Sequence, residues 1–276
     1  VKAPVNKIIP VSVVDGPGNR TAVFLQGCNI SCAYCHNPET QNLCTGCGVC
    51  VDGCPAGALK LNGETVVWDE DKCISCDRCI AACPSFASPK VREMSAEEVF
   101  CKVSLNMPFI RGITVSGGEC CLYPEFLKEL FGLCRKAGLS CLIDSNGMVD
   151  FSSCPELLDL CEGVMLDVKS WDPCVYRRLT GADNAVVRKN LEFLWRKRKL
   201  EEIRIVCLPG ESDYEDVLRG IAGLLGSPIT VRVKLIKFRP FGVRGRLSGA
   251  SQPGDGLMRE LASWAGELGY TNIVLT

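Results

Sequence analysis

At 276 residues, with 31 Lys plus Arg against 32 Asp plus Glu, the chain is nearly neutral, so its charge suggests neither nucleic acid nor an anionic membrane as a partner. Its longest apolar runs, such as Thr21 to Leu25, Gly163 to Val168 and Ile229 to Val233, have the length of strands and are far too short to cross a bilayer. Twenty cysteines in a chain of this length argue against a small disulfide scaffold; with no secretory signal in Val1 to Pro10, a reducing, cytosolic setting is expected, and a start at Val rather than Met predicts some trimming.

In chain order, Arg20 to Gly27 is a β-rich run that ends at a cysteine motif. From about Leu43 to Pro89 the sequence reads as an inserted module, in which Ala58 to Trp68 predicts two short strands joined at Asn62-Gly63. Ser95-Ala96-Glu97-Glu98 is a capping box that opens a helix to about Asn106. Strands are then predicted at Gly112 to Ser116, Leu139 to Asp144, Gly163 to Val168, Glu202 to Leu208 and Ile229 to Phe238. Helices are predicted at Pro124 to Lys136, after Ser153 and Pro155, and at about Ala185 to Arg198, Tyr214 to Leu225 and Gly256 to Leu268.

Repeated β/α units with strongly apolar strands predict a parallel sheet covered by helices, either curved into a partial barrel or open as in a Rossmann fold. The unusual residues decide between them. Gly117-Gly118-Glu119, Asp144-Ser145-Asn146, Asp167-Val168-Lys169 and Pro209-Gly210 all follow the carboxyl ends of successive strands, the face on which barrels gather their catalytic groups. The fold class expected is therefore α/β, a partial (β/α)6 barrel formed by residues 1–42 and 90–276, with residues 43–89 inserted.

Eleven cysteines carry metal-ligand spacing: Cys28-x3-Cys32-x2-Cys35, then Cys44-x2-Cys47-x2-Cys50-x3-Cys54-Pro55, then Cys73-x2-Cys76-x2-Cys79-x3-Cys83-Pro84. Structural zinc uses four ligands in two pairs, whereas four cysteines ending in Cys-Pro, found twice, form the bacterial ferredoxin run. In such runs the fourth cysteine serves the other cluster. That rule assigns Cys44, Cys47, Cys50 and Cys83 to one [4Fe-4S] cluster and Cys54, Cys73, Cys76 and Cys79 to its partner. The first set offers only three thiolates, leaving one iron of a third cubane without a protein ligand and free to bind a substrate. Nothing in the spacing of the other nine cysteines calls for metal, and Cys120 and Cys121 read as small buried hydrophobes.

The triad, with Tyr34 just before its third cysteine, resembles the signature of the radical S-adenosylmethionine (SAM) superfamily. Gly117-Gly118-Glu119 matches that family's GGE motif, although Cys120 stands where a proline usually follows. The resemblance implies that the glycines let the backbone approach SAM and that the Glu119 carboxylate meets its ammonium group. It further implies that Lys169, in Asp167-Val168-Lys169, lies near the SAM carboxylate together with Arg204. A monovalent cation (Na or K) beside SAM would take the carboxylates of Asp144 and Asp167 and the carbonyls of Ser145 and Met165, oxygen ligands that suit a hard ion.

Asp15-Gly16-Pro17-Gly18, Phe24-Leu25-Gln26-Gly27-Cys28 and Cys35-His36-Asn37-Pro38 together resemble the glycyl radical enzyme activating enzymes. The two ferredoxin runs match the branch with two extra clusters, and Val5 to Pro10 is similar to its YjjW subfamily. The implied activity is reductive cleavage of SAM at the triad cluster and removal of a hydrogen from one glycine of a large partner enzyme. The implied partners are that glycyl radical enzyme and a reductant such as flavodoxin or ferredoxin, and the chain is expected to be a monomer. One departure is the loop Phe238-Arg239-Pro240-Phe241-Gly242, which lacks a histidine found near the adenosine in some members. His36, the one histidine here, is expected to hydrogen bond beside the triad cluster; Arg239, Arg244 and Arg246 are expected to form a solvated face. A radical SAM enzyme for a small metabolite and a non-catalytic ferredoxin-like carrier are the competing readings.

Overall fold

The computed structural model describes residues 1–276. Strand β1 (Lys2–Ser12) runs antiparallel to β2 (Arg20–Leu25). The segment that follows holds α1 (Val49–Asp52), the hairpin of β3 (Leu59–Asn62) and β4 (Thr65–Trp68), and α2 (Arg78–Ala82). The chain then returns with β5 (Arg92–Ser95) and α3 (Ala96–Ser104) and continues through β6 (Gly112–Gly117), α4 (Pro124–Lys136), β7 (Ser140–Ser145), α5 (Pro155–Leu160) and β8 (Gly163–Asp167). Helices α6 (Pro173–Thr180) and α7 (Ala185–Arg196), β9 (Leu200–Cys207), α8 (Tyr214–Leu225), β10 (Arg232–Lys237), α9 (Asp255–Glu267) and β11 (Ile273–Leu275) complete it.

The main sheet has the order β11-β10-β9-β8-β7-β6-β2-β1-β5, and every pair from β2 to β11 is parallel. A doubly wound sheet reverses its strand order at a switch point. From β2 to β11 the order never reverses, so right-handed crossovers place the helices on one face only. Along each strand the side chains alternate accordingly. Ile113 and Val115, Cys141 and Ile143, Val164 and Leu166, Ile203 and Ile205, and Val233 and Leu235 pack into one apolar core with residues of the helices. Their neighbours Ser116, Asp144, Asp167, Arg204 and Lys234 line a cavity of about 450 Å³ on the opposite face.

Six elements were not expected from the sequence: β1, α1, α2, β5, α6 and β11. The first carries Pro4, Asn6 and Pro10, residues that disfavour strands, yet it pairs on both sides, with β2 and β5. The predicted strand at Ile229 begins instead at Arg232, and Ile229 makes only an isolated bridge to Tyr270. In the small hairpin Asn62 pairs with Thr65, so the turn residues are Gly63, at φ +61°, and Glu64, one position beyond the expected pair.

The capping box forms as the sequence implies: Ser95 Oγ accepts from Glu98 N at 3.2 Å, and Ser95 N donates to Glu98 Oε2 at 2.7 Å. Because α3 packs Val99 and Val103 into the main core, replacing Ser95 with Ala should lower stability by about 1 kcal/mol. Urea denaturation followed by circular dichroism measures that loss, and an unchanged midpoint would show the cap to be dispensable.

Candidate active site and cysteine quartets

Cys28, Cys32 and Cys35 stand on the loop after β2, at the carboxyl edge of the sheet, and all three line the large cavity. Backbone bonds fix this loop from two sides. Cys28 N donates to Gln41 O at 2.7 Å, while Ser31 N and Ala33 N donate to Thr180 O and Leu179 O at 3.0 and 2.8 Å. Helix α6, unforeseen in the sequence, thus holds the triad. The buried Gln26 side chain donates to Glu39 O and Asn42 O, both at 2.6 Å, closing the loop at its base. Burial pushes the Cys35 thiol up to about 11 and the Cys32 thiol up to about 12. Thiols so desolvated lose their protons when a cationic metal centre supplies compensating charge.

His36 Nε2 accepts from Arg239 N at 3.1 Å, so the residue after the triad bonds to the loop in which a histidine was missing. Burial, with Arg239 and Lys169 nearby, holds the imidazole down at about 4, which keeps this nitrogen an acceptor at neutral pH. Tyr34 is buried, its hydroxyl has no hydrogen-bond partner within the protein, and it lines the cavity. An orphaned buried donor of this kind fits a cavity made to hold a polar ligand.

Charged side chains form a ladder across the inner face. Glu202, fully buried, accepts from Arg204 Nε at 2.7 Å and lies 3.0 Å from Arg232 Nε. Arg204 Nη1 in turn donates to Asp144 Oδ2 at 2.8 Å, where Ser116 Oγ also donates at 2.8 Å. Lys169 Nζ meets Asp167 Oδ2 at 2.7 Å. Burial opposes the Lys169 ammonium, but Asp167, Cys32 and Tyr34 around it hold its pKa well above the ordinary value. Burial also raises the Asp144 carboxyl to about 6 against the pull of Arg204, and Asp167 adds to the rise. Asp144, Ser145, Met165 and Asp167 meet at the paired ends of β7 and β8, where Asp144 lies opposite Met165. Glu202, Ser116 and Lys234 escaped the sequence reading; the alternation Glu202-x-Arg204 in a strand was the one signal for the first of them.

Glu119 stands differently from expectation. Its side chain is fully buried and accepts from Ser145 Oγ at 2.9 Å, Asn146 N at 2.8 Å and Cys121 N at 3.0 Å. These bonds engage the carboxylate, as a buried charge requires, and Glu119 is not among the residues lining the cavity. Glu119 therefore shapes the site indirectly: it fixes Asn146, whose Nδ2 lies 3.5 Å from Cys28 Sγ. Gly117 and Gly118 do line the cavity. They also lie so close to the preceding chain that a Cβ would fall 2.1 Å from Leu25 O and Gly27 O, and Gly117 has φ +123°. Cys120 and Cys121 are buried.

The other eight cysteines divide between two small cavities. One is lined by Cys44, Cys47, Cys50 and Cys83, the other by Cys54, Cys73, Cys76 and Cys79. The two runs repeat one backbone path: Gly46, Gly48 and Gly57 have φ of +69°, +76° and +58°, and their counterparts Ser75, Asp77 and Phe86 have +54°, +56° and +52°. Non-glycine residues in this region cost about 1 kcal/mol or more each. Such turns aim successive backbone N–H groups into a concavity suited to an anionic cluster.

Arg244 is not solvated as expected. It donates to Cys83 O at 2.6 Å and to Ile80 O, and its guanidinium lies 4.5 Å from the Phe86 ring centroid. Arg246 pairs with Glu211.

A sequence profile of the Radical SAM superfamily matches residues 22–219. The choline trimethylamine-lyase activating enzyme of Oleidesulfovibrio alaskensis is 33% identical over 81% of this chain and 78% of its own length. The indoleacetate decarboxylase activating enzyme of Tractidigestivibacter scatoligenes is 28% identical over 95% of this chain and 94% of its own. QueE from Escherichia coli, at 15% identity, shares the fold over all of this chain and 94% of its own with a TM-score of 0.56. No helix is long and apolar enough to cross a membrane. With the triad at the mouth of a charge-lined cavity on a singly wound sheet, the chain belongs to the glycyl radical enzyme activating enzymes of the radical SAM superfamily.

Proposed function

We propose that this chain installs a glycyl radical in a partner enzyme, with Cys28, Cys32 and Cys35 holding the cluster that binds SAM. The observation that carries the reading is the cavity itself, which three half-buried thiols line together with the Asp144–Arg204 and Asp167–Lys169 pairs. When bound, the cluster supplies the electron that splits SAM into methionine and a 5'-deoxyadenosyl radical.

The protein's part is position and exclusion of water. Lys169 and Arg204 are the cations available to a SAM carboxylate, and each is oriented by its own acid. Gly117 and Gly118 offer backbone at the cavity wall, Tyr34 offers its unpartnered hydroxyl, and His36 ties the triad loop to the chain after β10. Asp144 and Asp167 each engage a cation through one oxygen. Their second oxygens, with the carbonyls of Ser145 and Met165, suit a monovalent cation, and the burial that raises Asp144, with Asp167 adding to it, favours a compensating charge there.

Residues 43–89 are read as a ferredoxin-like insert holding two more [4Fe-4S] clusters, which pass electrons from a carrier such as flavodoxin or ferredoxin to the triad cluster. Support comes from the two cavities, each lined by four cysteines in the crossed combination that ferredoxin runs use. The function proposed is cytosolic, and the chain acts as a monomer.

Anaerobic reconstitution should load about twelve irons per chain; a chemical assay giving about four would overturn the insert's role. Replacing Cys32 with Ala should abolish release of 5'-deoxyadenosine, measured by chromatography, and retained cleavage would refute the triad. Mixed with SAM, reductant and a candidate glycyl radical enzyme, the loaded protein should produce a glycyl doublet in electron paramagnetic resonance (EPR). SAM cleavage without that doublet across all candidates would favour a metabolite substrate.

A further inference from the structure

The two quartets of the insert have different walls. Around Cys44, Cys47, Cys50 and Cys83 stand Thr45, Gly48, Val49, Val66, Ala87 and Pro89, none of them charged. Around Cys54, Cys73, Cys76 and Cys79 the lining includes Trp68, Asp77, Arg78 and Lys90. Trp68 Nε1 is buried and meets no hydrogen-bond partner at good geometry within the protein, although it lies near enough to the Cys73 thiol to hold that thiol's pKa down. An indole N–H can only donate, and such a group left unpaired costs about 1–3 kcal/mol. The indole is steadied from its other side by the Arg92 guanidinium, 5.3 Å from the ring centroid and itself paired with Glu70. Lys90, with a side chain only 15% exposed, pairs with Asp77 beside the same four cysteines.

Reduction adds a negative charge to an iron-sulfur cluster without moving an atom far, so N–H donors and cations that face the sulfurs favour the reduced form. We propose that Trp68 Nε1–H donates to a sulfur of the cluster at Cys54, Cys73, Cys76 and Cys79 and, aided by Lys90, gives it the higher reduction potential of the two. This rests on reading the insert as a two-cluster module. The first electron delivered by a one-electron carrier then resides on the Cys73 cluster. The Cys44 cluster, in uncharged walls, is the stronger reductant of the pair. Trp68 and Lys90 are positioning residues in this scheme, acting through the cluster they face.

The test uses the full chain with Cys28, Cys32 and Cys35 replaced by Ala, so that the triad cluster adds no signal. After reconstitution, about eight irons per chain should be present, and dithionite titration followed by EPR should show two one-electron steps. Trp68→Phe should shift the higher step by about tenfold in its reduction equilibrium, roughly 59 mV more negative, and leave the lower step in place. Lys90→Gln should move the same step in the same direction, and it decides the matter if Trp68→Phe loses iron. Two loaded clusters that titrate together, or a higher step that neither substitution moves, would overturn the inference while leaving the two-cluster reading intact. An iron content near zero would overturn that reading itself.

Discussion

Charge holds the cavity open. The inner faces of β7, β8, β9 and β10 carry Asp144, Asp167, Glu202, Arg204, Arg232 and Lys234, and none of these can be buried in apolar surroundings without a partner. Glu202 between Arg204 and Arg232, and Asp144 beyond Arg204, answer that demand along β9 and across to β10 and β7. An inner face built this way cannot collapse onto itself as the outer face does against the helices. Breaking a buried pair costs about 3–5 kcal/mol because it strands the other charge. The same ladder therefore also fixes the direction of Arg204, whose Nη1 meets Asp144 Oδ2 at 2.8 Å.

The insert follows a different economy of forces. Its own apolar centre is Cys50, Leu59 and Cys79, flanked by half-buried Val51, Cys54, Val66, Trp68 and Ile80. Segments of fewer than about 40–50 residues seldom stand on a core of that size without metal or cross-links. Two of its three buried centres are thiols of the quartets, and three of the chain's four non-glycine residues with positive φ lie in the second run. Strain persists where surrounding structure determines the backbone, and ligand clamps are common places for it. Metal loading and folding of this segment are accordingly expected to be one event.

Much of this was legible in the sequence because its signals are local. Cysteine spacing, the Ser95 capping box and the β/α alternation each depend on residues within one turn or one strand. The grouping in which the eight cysteines line two cavities agrees with their spacing read through the ferredoxin rule. What escaped depends on partners distant in sequence: β1 is a strand because β2 and β5 pair with it, and α6 matters because Leu179 and Thr180 receive the triad loop. The partners of Glu119 escaped for the same reason. A carboxylate after two glycines looks free in one dimension, but folding brings Ser145 and Asn146, which lie 26 and 27 residues away, against it.

Arg244 joins the two halves of the molecule. Its loop begins beside His36, which accepts from Arg239 N, and ends on the turn that carries Cys83. The triad loop and one quartet are therefore attached to the same short stretch of chain, 239–244. Two bonds to carbonyls and a stack on Phe86 are modest individually, yet an Arg with a planar fork loses little entropy in making them. Under the proposed relay, this shared anchor fixes the separation between the triad and that quartet. The arginine thus ties residues 43–89 to the chain after β10, although in the sequence it resembles any exposed basic residue.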